Sequence, residues 1–248
     1  MLRCYRCDLH IHTCLSPCAD LTMSPKRIVK KARVKKLDII GITDHNSAEN
    51  VQATINAASM NNIIVWAGME ITSAEEAHLI ALCDSIEAAL KLQKQVYDAL
   101  IPGENNEELF GKQIIVDEFD EIKGYNRRLL IGATTLTIEQ IAKAVHDNSG
   151  VLVASHVDRE SYSIIGQLGF IPQNLCLDAV EISPNMTIKE AERKIPETTK
   201  YPMITSSDAH FLKEIGNATT SFLLNQPTIK ELHMALHHKA GRKIILES

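Results

Sequence analysis

No apolar run in the chain approaches the roughly 20 residues that a bilayer-spanning helix needs. Nothing in the first residues reads as a leader, residues 1–7 being too short for a secretory apolar region that Asp8 interrupts, so a cytoplasmic protein with no membrane partner is expected. Positive charge is not in excess. The 26 Lys and Arg against 31 Asp and Glu give a net charge of −5, which removes any global pull towards nucleic acid or anionic lipid. The 6 cysteines lack the spacing of a thiolate zinc site: Cys4 and Cys7 make one CxxC and Cys14 and Cys18 one CxxxC, with no second tight pair. Without a secretory signal they read as reduced, buried or loop thiols. Internal repeats, low-complexity tracts and flexible linkers are missing, so one domain over residues 1–248 is expected.

What is present is an alternation of short apolar runs with capped helices. Residues 3–11 read as a strand. Ser24-Pro25 opens a helix to about residue 34, with Ile28, Val29 and Ala32 facing inward and the basic run from Lys26 to Lys36 on its solvated side. Residues 37–43 form a buried strand ending in Asp44-His45, and Asn46 or Ser47 caps a helix running to about Met60. A third strand, 63–67, runs into Gly68-Met69-Glu70. His78 then opens the apolar run 79–83, expected to return beside it as an antiparallel neighbour. After a helix over 85–100, Pro102-Gly103 breaks the chain, and the polar stretch 103–128 reads as an inserted lid or loop. Capping boxes at Thr137/Gln140, Thr187/Glu190 and Thr228/Glu231 open three further helices. Between them lie strands at 151–155, ending in His156, at 178–182, and at 203–206, ending in Ser207-Asp208-Ala209-His210. This order predicts a largely parallel α/β sheet, and polar ends on five or more strands favour a closed barrel over an open sheet.

Those ends carry the chemistry. In Asp8-Leu9-His10-Ile11-His12 the two histidines, two residues apart on a strand, share a face and can chelate. An isolated pair of this kind is commonly structural, but the other strand ends add Asp20, His45, Glu70, His78, His156, Asp208 and His210. Six imidazoles and three carboxylates are costly to bury without cations. Nine ligands exceed what one ion takes, so two to three divalent ions are expected, with Zn, Mn or Fe suiting the mixture better than Ca or Mg. His146, His233, His237 and His238 read as structural or surface histidines.

The motifs Asp8-Leu9-His10-Ile11-His12-Thr13, Ile42-Thr43-Asp44-His45, Gly68-Met69-Glu70, His78, Ser155-His156 and Ser207-Asp208-Ala209-His210 resemble the polymerase and histidinol phosphatase (PHP) superfamily of metal-dependent phosphoesterases. The resemblance implies a distorted (β/α)7, TIM-like barrel with a trinuclear site. Its ligand scheme places a first metal on His10, His12, Glu70 and Asp208, and a second on His78 and His156 with Glu70 bridging. Asp20, His45 and His210 would take the third; some relatives have histidine at the position of Asp20.

The expected chemistry is in-line attack of a metal-activated water on phosphorus. Arg159, three residues after His156, is the candidate for binding the phosphate oxygens. Asp8 and Asp44 are expected to orient ligand imidazoles, with leaving-group protonation a further role for Asp44. A phosphatase acting on small phosphomonoesters, of nucleotide or histidinol phosphate type, is the leading expectation. The alternatives are a 5′–3′ exoribonuclease or phosphodiesterase on short oligonucleotides, and a non-catalytic metal-binding regulatory module. The sequence is silent on oligomeric state.

Overall fold

The computed structural model describes residues 1–59 and 61–245. Short runs rich in Ile, Val and Leu become strands, the β-branched side chains packing on a pleated surface. In chain order they are β1 (Arg3–Ile11), β2 (Ile39–Ile42), β3 (Ile64–Thr72), β4 (His78–Cys83), β5 (Ile114–Val116), β6 (Ile122–Tyr125), β7 (Val151–Ala154), β8 (Ala179–Ile182), β9 (Met203–Thr205), β10 (Thr220–Leu224) and β11 (Lys243–Ile245). The helices are α1 (Pro25–Val34), α2 (Val51–Ala58), α3 (Ile86–Ala99), α4 (Glu107–Phe110), α5 (Ile138–Asp147), α6 (Ile164–Leu168), α7 (Ile188–Lys194) and α8 (Ile229–Leu236).

Nine strands form one sheet in the order β11-β10-β1-β2-β3-β4-β7-β8-β9. The runs β1-β2-β3 and β7-β8-β9 are parallel, and β4 lies antiparallel between β3 and β7, so both runs point the same way. Reversal of β4 puts its first residue, His78, level with the last residue of β3, Thr72. The sheet curls until the segment after β9 meets β1: His12 N donates to the Ala209 carbonyl (3.0 Å) and Ala209 N to that of His10 (3.2 Å). The result is a distorted TIM-like barrel.

Two apolar layers follow from the alternation of side chains. The outer one packs Ile28, Val29 and Ala32 of α1 and Ile138, Ile141 and Val145 of α5 against the sheet. The inner one joins Tyr5, Cys7, Leu9, Ile80, Val153 and Phe222 to Ile229, Leu232 and Leu236, so α8 closes the barrel floor. A Cβ at Gly41 of β2 would lie 2.4 Å from the Leu9 carbonyl oxygen, so this approach to β1 needs glycine. The β1–β2 register shifts between Asp8 and Ile11, around His10.

Several local expectations are corrected. The second helix begins after Asn50, not at Asn46 or Ser47, because the Asn46 amide instead donates to the carbonyls of Leu130 (2.8 Å) and Gly132 (2.9 Å). Its expected end at Met60 lies outside the described residues. Ser24 precedes α1 without a side-chain cap. At α8 the Thr228 hydroxyl accepts from Glu231 N, but the Glu231 carboxylate turns to Arg242 and Asn225 N. Residues 103–128 contain α4 and the β5–β6 hairpin, which packs on the loop after β1 through Ile114 N to the Cys14 carbonyl (2.9 Å) and on the start of α2 through Val116 N to Asn50 Oδ1 (3.0 Å). None of them lines the cleft at the strand ends, where Ile131 alone represents the region just after them.

Arg242 clasps Glu231 with two nitrogens at 2.9 and 2.8 Å, fastening the chain before β11 to α8 and holding the carboxyl down to about 2. A depressed carboxyl stabilises the fold above its unfolded pKa near 4.5, and the contribution fades as pH falls towards 2. Arg242→Ala is expected to lower the melting temperature by about 2–4 °C at pH 7, roughly 1 kcal/mol for a chain of this size, and by less at pH 3. An equal shift at both pH values in thermal melts would contradict this.

Candidate metal centre

The cleft at the C-terminal ends of the parallel strands has a volume of about 520 Å³, and His45, Glu70, His78, His156, Asp208 and His210 are among its lining residues. β1 delivers His10, with His12 immediately after its end, the turns after β2 and β7 deliver His45 and His156, and β3 carries Glu70 within it. β4 supplies His78 from its start, and the segment after β9 brings Asp208 and His210. Asn46, His156 and Asp208 hold left-handed backbone at φ of 51°, 29° and 49°, a strain that side chains other than glycine adopt where surrounding contacts hold them.

Glu70 sits at the centre. Its Oε1 lies 3.3 Å from His10 Nε2, 3.1 Å from His78 Nδ1 and 3.3 Å from His156 Nε2, and its Oε2 lies 3.3 Å from His45 Nδ1 and 3.5 Å from His12 Nε2. Asp208 Oδ1 is 3.2 Å from both His10 Nε2 and His12 Nε2, while Oδ2 takes Arg159 Nη1 at 2.6 Å. Burial would raise both carboxyls, but the imidazoles, led by His78 for Glu70 and His10 for Asp208, hold them well below the usual range. Burial and the neighbouring His210 push His12 down to about 4, and burial with His12 drives His45 well below its ordinary value. The site thus presents ionised carboxylates with neutral His12 and His45, whereas burial is outweighed at His10 by Glu181, Asp208 and Glu70, which hold it well above its ordinary value, so His10 keeps a proton that a bound cation would displace.

Hydrogen bonds behind the rings fix their tautomers. The Ser16 hydroxyl donates to Asp44 Oδ1 (2.6 Å), so its oxygen accepts from His12 Nδ1 (3.0 Å) and from His45 N (3.2 Å). His10 Nδ1 donates to Glu181 Oε2 (2.9 Å). Once His10 gives up its second proton both Nε2 atoms are lone pairs, and they face one another at 3.1 Å, with Asp208 Oδ1 the third acceptor. Three acceptors converging in a buried space require a cation or a shared proton. Buried atoms with no hydrogen-bond partner, Glu70 Oε1, His45 Nδ1 and Asp208 Oδ1, surround the same space. Three groups are spaced to share an ion: His10/His12/Asp208, His45/Glu70/His78 and His12/His45/His210. The residues fit divalent metals.

Three of the expected residues hold their carboxylates on other partners. The half-buried Asp20 is outside these groups; its carboxylate accepts from Thr22 N (2.8 Å) and Thr22 Oγ1, and its backbone N donates to the His210 carbonyl. Asp8 touches no imidazole: it accepts from Ser207 N (2.9 Å) and Gly216 N (2.8 Å), while burial raises it to about 6. Asp44 reaches His12 only through Ser16, and Thr13 N and Oγ1 occupy it as well, so it is a fully buried positioning carboxylate rather than one facing a leaving group. Arg159 lies at the cleft as expected, its side chain 38% exposed.

Glu181 is the residue that sequence reasoning missed. It is 1% exposed in the middle of β8, bonded to His10 Nδ1 and to His156 N (3.2 Å), and its signal was a lone carboxylate inside the apolar run Ala179-Val180-Glu181-Ile182. Glu181→Gln is expected to weaken metal binding at least about tenfold, since partners that orient a ligand histidine contribute that much. Metal titration of the purified variant checks it, and unchanged affinity would remove Glu181 from the site.

The PHP domain profile matches residues 8–163 and a PHP-associated profile residues 190–240. The uncharacterized protein YqxK of Bacillus subtilis (strain 168) is 27% identical over 110 residues, 42% of this chain and 28% of YqxK. The lesion-specific endonuclease PfuEndoQ of Pyrococcus furiosus superposes with a TM-score of 0.78 at 17% identity, over 98% of this chain and 58% of its own. The chain therefore spans little more than half of that enzyme and matches about a quarter of YqxK. A candidate metal-dependent phosphoesterase of Bifidobacterium adolescentis superposes with a TM-score of 0.56 at 17% identity, covering 82% of this chain and 87% of its own. With more than half of its length matched by the family profile, and the strand ends carrying this cluster, the chain belongs to the PHP domain family.

Proposed function

We propose that this chain hydrolyses phosphate esters with two or three divalent ions, of the Zn, Mn or Fe type, bound at the strand ends. The observation that carries the reading is the convergence of His10 Nε2, His12 Nε2 and Asp208 Oδ1 within 3.2 Å of one another, backed by the Glu181 and Ser16–Asp44 hydrogen bonds. His10, His12 and Asp208 would hold one ion; Glu70, His45 and His78, with His156 alongside, would hold a second; and His210 with His12 and His45 would offer a third position. Bound ions of this kind polarise a phosphoryl oxygen and lower the pKa of water so that it attacks near neutral pH.

The protein's own groups do the rest. Glu70 and Asp208 set the negative charge inside the cleft, and Arg159 presents a planar guanidinium to the phosphoryl oxygens from its rim. A cleft of about 520 Å³ accommodates a phosphate carrying one small organic group, which favours a phosphomonoesterase of nucleotide or histidinol phosphate type. A second reading, a nuclease acting on short nucleic acid, is favoured by Tyr162, which stacks on His78 with ring centroids 4.8 Å apart and is 49% exposed, a face on which a base can stack. The structural likeness to endonuclease Q, which has also been solved with a 27-mer duplex carrying an abasic lesion, adds to it.

Metal content by elemental analysis, with phosphate release from mononucleotides, sugar phosphates, histidinol phosphate and 5′-phosphorylated oligonucleotides, separates these readings. Preferred turnover of a mononucleotide or histidinol phosphate with little dependence on salt is the expected result. Turnover confined to oligonucleotides and falling steeply with salt selects the nuclease. No turnover on any substrate with the ions bound leaves a regulatory module instead.

A further inference from the structure

At the opposite end of the barrel a second group of metal-ligating side chains meets where α8 closes the floor. Asp178 stands immediately before β8, His146 lies in the last turn of α5, and His233 and His237 lie one turn apart at the end of α8. We propose that Asp178, His233 and His237 form a separate zinc site, with the remaining coordination position open to water.

The carboxylate calls for a cation. Asp178 is 6% exposed, and among the described residues its only ion-pair partners are imidazoles, with no Lys or Arg in range. Its two oxygens are divided in use. Oδ2 accepts from Leu152 N (2.8 Å) and pairs with His146 Nε2 (2.9 Å), which fixes the carboxylate plane, whereas Oδ1 points to His233 Nε2 at 3.5 Å. That distance is long for a hydrogen bond. It is close to the separation of about 3.3 Å between two ligand atoms each about 2.0–2.1 Å from one tetrahedral zinc.

His237 completes the set. Histidines four apart share a helix face, and here the two rings lie 4.5 Å apart, with a nitrogen of each and an Asp178 oxygen all within 4.8 Å of one another. Two imidazoles and one carboxylate suit zinc better than magnesium or calcium, whose ligands are oxygens. A cleft of about 420 Å³, lined by His146, Lys230 and His233 among others, gives solvent access from the side. An ion held there pins α8 to the starts of β7 and β8, so its effect is on the stability of the floor and not on the chemistry at the other end.

The test counts zinc. Metal-stripped protein is dialysed against micromolar zinc and assayed by elemental analysis, as wild type and as His237→Ala and His233→Gln. Both positions are partly or fully exposed on the helix surface, so folding is retained. Each variant is expected to bind one zinc fewer per chain than wild type, to lose part of the zinc-dependent rise in melting temperature, and to keep wild-type turnover once the strand-end ions are loaded. The inference does not depend on that turnover being found. Equal zinc counts and equal melting shifts in all three proteins would overturn it.

Discussion

Glu70→Gln is expected to reduce phosphate-ester turnover by more than about 100-fold, beyond the range for residues that only orient ligands, and to release at least one ion per chain. The reason is the position of its carboxylate, with Oε1 within 3.3 Å of three imidazoles and Oε2 within 3.5 Å of two more. Glutamine keeps the shape but removes the charge, and its amide N–H groups would point at nitrogens whose lone pairs are needed for metal. Buried ions then lose the anion that compensates them. Elemental analysis and steady-state kinetics on the same preparation decide it; full metal content with turnover within a few-fold of wild type would remove Glu70 from the centre of the site.

For Arg159→Ala the expected loss in kcat/KM is about 10–150-fold, the equivalent of one charge-assisted hydrogen-bonded contact of roughly 1.5–3 kcal/mol. Metal content should stay unchanged, because the guanidinium contributes no ligand. That combination separates it from Glu70. The side chain is 38% exposed, and its removal takes the partner of Asp208 Oδ2, in a side chain only 6% exposed, so the metal count on the same preparation is the necessary control. Arg159→Lys should recover part of the loss by restoring charge without the planar fork. A fall in bound metal equal to the fall in rate would mean that Arg159 serves Asp208 and not the phosphate.

The frame of the barrel was legible because several local signals agreed. The limits of β1, the antiparallel return of β4 and the complete capping boxes at Thr137/Gln140 and Thr187/Glu190 all stand where periodicity and capping chemistry put them. The same logic failed where tertiary contacts outbid local ones. Asn46 is a good cap in isolation, but in the fold its amide is drawn to the carbonyls of Leu130 and Gly132, 84 and 86 residues away. β10 and β11 went unread because Thr220–Leu224 and Lys243–Ile245 are held by antiparallel pairing with β1 and with each other, contacts that local pattern does not report. Eight of the nine expected ligand positions line or adjoin one space, whereas the Asp20 carboxylate closes its own turn at Thr22, a preference that short acidic side chains satisfy locally. Glu181 escaped for the opposite reason, since its partner lies 171 residues away.

The seam between Ile11 and Ala209 also bears on how the chain folds. Histidines from the first strand meet Asp208 and His210 only after nearly the whole polypeptide has been placed, and such distant pairings are slow to form because loop closure precedes any gain from contact. The ion shared by His10, His12 and Asp208 therefore cannot nucleate the barrel from an N-terminal fragment. It binds the finished native state, and its affinity adds to that state's stability in proportion to the logarithm of free metal concentration. Chelation should thus open this seam first, speeding unfolding while leaving the early pairing of β1, β2 and β3 to form as before.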